Sequence, residues 1–354
     1  MADANRIEWL NLGKAISILL VVVYHARHSA YLIDWHHADQ IGPVWEAAGD
    51  LLRPLRMPFF FLMSGLLAAP SLGQPWERVR LKRVYRPFYL YALWAAILML
   101  LIPAFPRLGP LDGGLAFKLV LILCGSTVAW YLYALGLFYL FCRATDRLDA
   151  RLVAALALGI AVLAAGLEGR INDFLFSMMR CLVFFAVGAR FRQPILDWAA
   201  RASWPRLCGL AAAVAGLFAA SDAIGLPTNP VLDSAAVMPG ITATVLVARG
   251  LAFARTLGNS LSSRTLPIYL LHFPLVAALP PVADSLLPEV VLGSMLAGLL
   301  FPLVLSAIAV MASLGLYAAA LKCGGRWLFD LPGLARAGSD RNLPAPRGGR
   351  RLHA

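Results

Sequence analysis

Lys14 and His25 lie in one apolar run, Leu12-Gly-Lys-Ala-Ile-Ser-Ile-Leu-Leu-Val-Val-Val-Tyr-His25, eleven residues apart. Ionisable groups within a membrane-spanning helix are costly and are kept mainly for function. Eleven residues is close to three helical turns, so the two side chains share a face about 16 Å apart along the axis. Ser17, Val21 and His28 fall on or beside the same stripe. A fixed cation aligned with an imidazole suits chemistry that holds an anion at one end and moves a proton at the other.

Further polar residues recur where apolar ones are expected. Arg56-Met-Pro-Phe-Phe-Phe-Leu-Met-Ser64-Gly65 pairs a cation with a small polar turn. Pro58 frees backbone groups there, and Gly65 lets a neighbouring helix or ligand come close. Arg83 and Arg86 stand one turn apart and face the same way on a helix; the alternative is that Arg78 to Arg86 anchor the chain to phospholipid headgroups. Trp130, Tyr131 and Tyr133 fit either a site or an interfacial belt. Tyr269 and His272 fit either a site or interhelical hydrogen bonds, and Arg180 either a role of its own or pairing with a buried acid. The histidines and acids near residues 28–39 match no strong metal signature, nor do the five cysteines, so no metal is expected.

The elements that must position these groups follow from composition. Of 354 residues, 60% are hydrophobic and 14% charged, with a mean hydropathy of +0.73. This places the chain among polytopic membrane proteins. The net charge of +12 is spread in short clusters between apolar stretches, which argues for membrane topology and against nucleic acid. Apolar runs occur at about 12–32, 51–69, 87–103, 115–142, 152–167, 174–189, 207–222, 231–249, 265–283 and 289–320. The fold expected is therefore an all-α polytopic transmembrane helix bundle of about ten spans. The fourth run is interrupted at Gly125-Ser-Thr, which fits a broken or re-entrant helix, and the last is longer than one span requires. Even-numbered connections collect Arg and Lys, and odd-numbered ones collect acids such as Asp34, Asp173 and Asp233, so both termini are expected in the cytoplasm. The first run is read as a retained helix. Residues 1–330 form the transmembrane domain and 331–354 a flexible basic tail. This orientation sets Lys14 near the cytoplasmic interface and His25 beyond the midplane.

Four segments together resemble the acyltransferase-3 family of integral-membrane O-acyltransferases. They are Asn11-Leu-Gly-Lys14 through Val23-Tyr24-His25, Arg56 to Gly65, Arg83-Val-Tyr-Arg86-Pro87 and Leu266-Pro-Ile-Tyr-Leu-Leu-His272. Trp130-Tyr-Leu-Tyr133 is similar to the family's short aromatic motif. The segments come in family order and cover most of the chain. Lys14 stands where many members have Arg, and Asn11 where Asp is common. The Lys form resembles the subgroup similar to fucose 4-O-acetylases.

The resemblance implies an enzyme moving an acetyl or similar short acyl group from acyl-CoA to a hydroxyl of a carbohydrate or envelope glycan. His25 then matches the catalytic histidine, acting as general base or as transient acyl carrier. Lys14, Arg83 and Arg86 would hold the donor phosphates, and Arg56 or Ser64 would stabilise the oxyanion. The implied setting is a bacterial inner membrane, with the lipid bilayer and envelope-glycan assembly proteins as partners. The competing reading is a carrier that uses Lys14, His25, Arg56 and His272 to move an anionic solute or protons. Acetyl and succinyl donors are not separated, and nothing names the acceptor.

Overall fold

The computed structural model describes residues 2–30, 33–101, 120, 122–123, 125–223 and 230–332. All but the first two residues of the expected tail lie outside them. Every regular element among the described residues is helical. Helix α1 (Ala2–Ala30) carries the first apolar run. A short helix α2 (Ala38–Leu51) and a 3-10 turn at Arg53–Leu55 lead into α3 (Met57–Leu72). Pro58 opens α3, where its missing N–H has no partner to lose.

The next run begins as α4 (Trp76–Arg80), widens into a π-helical turn over Leu81–Tyr85 and resumes as α5 (Arg86–Leu101). Such wide turns are frequent at functional positions, and this one holds Arg83. Gly125 takes φ +77°, the left-handed region that glycine enters without strain. It breaks the fourth run ahead of α6 (Trp130–Ala144), where the sequence is interrupted.

Side-chain caps start the following helices. Asp149 accepts the N–H of Arg151 at the head of α7 (Ala150–Ala165), and Asn172 accepts those of Phe174 and Leu175 at the head of α8 (Asp173–Arg190). Helix α9 (Arg192–Ala200) turns away from α8 by 79°. Then come α10 (Trp204–Ala223), α11 (Pro230–Gly250), α12 (Ala252–Ser262), α13 (Thr265–Leu286), α14 (Glu289–Leu292) and α15 (Met295–Lys322).

The chain is thus an all-α polytopic bundle, and among the described residues the apolar runs fall largely on helix, the fourth being broken at Gly125. Among the described residues seven helices are long and apolar enough to cross a bilayer, or eight if the bent α8–α9 pair is one span. The difference from ten lies in length. Helices α6 and α7 have only 15 and 16 residues, short of the ~20 that the hydrocarbon core requires.

Helix α1 is the hub, packing against α3, α11, α12, α13 and α15. Helices α3 and α8 make the most intimate crossing. There Gly65 faces the backbone of Phe185 and Ala189, and Gly188 faces that of Leu62 and Leu66. After α15 the chain folds back onto α5. The Trp94 indole N–H donates to the Leu328 carbonyl at 2.7 Å and the Tyr89 hydroxyl to that of Trp327 at 3.1 Å.

Candidate active site

Two cavities flank the stripe on α1. The larger, about 600 Å³, is bordered by His25 together with Tyr24, Arg53, Arg56, Trp130, Asp173, Arg180, Asp233 and Tyr269. His25 is partly buried, its ring 5.3 Å from that of His272 and 5.4 Å from that of Phe273. Helix α13 thus braces the imidazole from one side. On the other, the Arg56 guanidinium lies 4.0 Å over the Tyr24 ring and donates to the Gly49 carbonyl at 3.2 Å. Asp233, 1% exposed, binds both remaining arginines of the wall: Arg53 at 3.4 Å through one carboxylate oxygen and Arg180 through the other. Leaving either guanidinium without this carboxylate would strand a charge in a poorly solvated place.

The smaller cavity, about 250 Å³, lies at the Lys14 end. Lys14, Ser64, Lys82, Arg83 and Arg86 line it together with Tyr131, Tyr139, Thr265 and Tyr269. The Lys14 ammonium donates to the Ser262 carbonyl at 3.0 Å. Asn11, one turn before it, donates to the Asn259 side-chain oxygen at 2.9 Å, so an amide on α12 satisfies the position where Asp is common. Arg83 donates to the Leu67 carbonyl at 2.8 Å. Its cation therefore lies against the second half of α3.

Tyr269 borders both cavities and stands between them. Its hydroxyl donates to the Val128 carbonyl at 2.7 Å and accepts the Tyr131 N–H at 3.3 Å. This ties α13 to the start of α6. Tyr131 stacks flat on Phe60 at 4.6 Å, and its hydroxyl is 2.7 Å from Ser64. Because the Ser64 hydroxyl donates to the Phe60 carbonyl at 2.8 Å, Tyr131 is the donor of that shared bond.

The structure sorts the residues singled out above. His25, Arg56, Trp130, Arg180 and Tyr269 border one cavity; Lys14, Ser64, Arg83 and Arg86 border the other, with Tyr269 common to both. Ser64 is therefore not beside His25, and of the two suggested oxyanion partners only Arg56 shares its cavity. Arg86 is also less free than expected. Its Nε lies 2.8 Å from the Asp330 carboxylate and another nitrogen donates to the Phe329 carbonyl at 3.3 Å. Tyr133 packs on Phe88 and Tyr91 and donates to the Leu123 carbonyl at 2.9 Å, away from both cavities. His272 is fully buried, with Nδ1 3.0 Å from the Ile268 carbonyl. Asp233, read from the sequence as a loop acid, is buried in the first turn of α11 and answers the question about Arg180. Arg53 and Lys82 are additions. Their signals were proximity to Arg56 and membership of the Arg78–Arg86 cluster; Asp233 gave none. Among the described residues no group of His, Cys, Asp and Glu is arranged to hold a metal.

Comparison with known proteins agrees with this architecture. Residues 7–317 match the acyltransferase-3 family, described as an acyltransferase domain. The chain is similar to the inner membrane protein YcfT of Escherichia coli strain K12, with 26% identity over 208 residues. That alignment covers 53% of this chain and 57% of the relative, so the chain spans little more than half the relative's length. No solved structure matches it. With a match across nearly the whole helical bundle, the chain belongs to the acyltransferase-3 family of membrane acyltransferases.

Proposed function

We propose that this protein is an inner-membrane O-acyltransferase that moves an acetyl or similar short acyl group from acyl-CoA to a hydroxyl of a carbohydrate or envelope glycan. One observation carries the reading: a cavity walled by cations and a cavity walled by His25 share a single tyrosine as partition. Acyl-CoA is a cytoplasmic polyanion with a long flexible arm. Lys14, Lys82 and Arg83 hold its phosphates at the cytoplasmic side, and the arm carries the thioester past Tyr269 toward His25. The His25 imidazole takes the acceptor's O–H proton as that oxygen attacks the thioester carbonyl. The C–S bond then breaks, and the imidazolium returns the proton to the departing sulfur, giving CoA–SH. Arg56 stabilises the oxyanion formed between these steps. In the variant route His25 itself carries the acyl group before the acceptor binds.

The test uses membranes containing the full chain, radiolabelled acetyl-CoA and an envelope-glycan extract. Label appearing in the glycan as an ester that alkali cleaves is the expected result. Label entering vesicles without any transfer, or no difference from membranes lacking the chain, would overturn the reading. Donor binding gives a separate check. Arg83→Ala should weaken CoA binding by about tenfold, the loss of one charge-assisted contact. Asp330→Asn should tighten it, because the Asp330 carboxylate competes with phosphate for Arg86. Titration calorimetry on purified protein in nanodiscs reads both. Unchanged affinity in Arg83→Ala would return that arginine to a headgroup-anchoring role.

A further inference from the structure

The walls of the His25 cavity bear on which acceptors fit. Among the described residues three guanidiniums border it, those of Arg53, Arg56 and Arg180, against two carboxylates. Asp233 is consumed by two of the three. Asp173 stands exposed at the start of α8, where bulk water screens it. Arg56 has no carboxylate within ion-pair distance among the described residues; its contacts are the Gly49 carbonyl and the Tyr24 ring. The interior of the cavity therefore holds an excess positive charge beside His25, in surroundings where such a charge is only partly solvated.

We infer that the His25 cavity recognises an acceptor bearing an anionic group, a carboxylate or phosphate ester, close to the hydroxyl that is acylated. The inference rests on the proposed reading that this cavity receives the acceptor. Arg56 binds the anion directly. Arg180, held by Asp233, also lines the cavity, and it supplies a second set of N–H donors. The same Asp233 neutralises part of the charge of that two-arginine wall. The indole of Trp130, on the same cavity, offers a flat apolar face for a sugar ring. A neutral sugar would leave the Arg56 charge uncompensated on binding and lose that part of the affinity.

The experiment reads occupancy of the cavity and not turnover. Full-length protein in nanodiscs is treated with diethyl pyrocarbonate, and carbethoxylation of His25 is followed by mass spectrometry. Glucuronic acid, glucose 6-phosphate and glucose serve as probes, with 3′-phosphoadenosine diphosphate as a donor fragment. The charged sugars should protect His25 at concentrations about tenfold lower than glucose, the worth of one charge-assisted hydrogen bond. Arg56→Gln and, independently, Arg180→Gln should erase that difference. The modification rate without ligand reports whether each variant keeps its cavity. Protection by glucose equal to that by glucuronic acid, or no protection by any sugar, would overturn the inference. So would protection by the nucleotide fragment as good as by the charged sugars, since the arginines would then serve the donor. Acyl transfer that proceeds with no charge preference sinks this inference alone; charge-selective protection without acyl transfer sinks the reading of function alone.

Discussion

Replacing His25 by alanine should lower acyl transfer from CoA by about 10²- to 10⁴-fold, the range that a positioned general base contributes. The loss should fall on kcat while CoA affinity stays near that of the wild type. The reason is spatial. The cations expected to hold the donor line the Lys14 cavity, and His25 does not border it. Stopped assays with labelled acetyl-CoA, paired with CoA binding by calorimetry, separate the two quantities. A parallel loss of CoA affinity would mean that His25 holds the donor and that the division between the cavities is wrong. The same variant divides the two chemical routes. If His25 carries the acyl group, label should accumulate on wild-type protein incubated with donor and no acceptor, and should be absent from His25→Ala. If His25 acts only as a base, neither protein becomes labelled. Transfer by His25→Ala at the wild-type rate would remove the imidazole from the mechanism altogether.

Much of this candidate site was legible in the sequence because its parts are ionisable groups inside apolar runs. Lys14 and His25 on one helical face needed only the 3.6-residue period, and Arg83 stood out for the same reason. What periodicity cannot express is which runs meet. Ser64 and Arg56 share one segment, yet the seven residues between them carry the chain from one cavity to the other. Asp233 was misjudged because an acid at the edge of an apolar run looks like a loop residue until its partners, Arg53 and Arg180 from two distant segments, are in place. The ion pair of Arg86 was hidden for a related reason. Its carboxylate partner, Asp330, comes from the far end of the bundle, and no local pattern joins them. The helical class followed from composition. The span count did not, because α6 and α7, apolar but for Arg143 and Arg151, are shorter than a bilayer crossing.

The largest structural effect is expected at Gly65. A Cβ there would fall within the contact radius of the Phe185 carbonyl oxygen and 2.9 Å from the Ala189 nitrogen. Both are backbone atoms of α8, so no rotamer change can relieve the clash, and the two helices must separate. Helix association within a membrane depends on close packing, because lipid is as apolar as the side chains it would replace. Overpacking of this kind costs about 1–3 kcal/mol and sometimes more. Gly65→Ala should accordingly lower thermal stability in detergent and reduce the monodisperse fraction on size exclusion. Gly188→Ala should do the same, since its Cβ would meet the Leu62 carbonyl and the Leu66 nitrogen across the same crossing. Gly159 on α7 is the internal control: none of the described residues comes within 4 Å of where its Cβ would stand. Gly159→Ala should be neutral or stabilise by about 0.5–1 kcal/mol through helix propensity. The consequence reaches the chemistry. Helix α3 follows directly on Arg56 and carries Ser64, so moving it off α8 shifts groups in both cavities at once. Gly65→Ala should therefore lose CoA affinity and acyl transfer together, where His25→Ala loses transfer alone. Wild-type stability in Gly65→Ala would mean that α3 and α8 are not in backbone contact, and the placement of Ser64 and Arg56 relative to His25 would have to be redrawn.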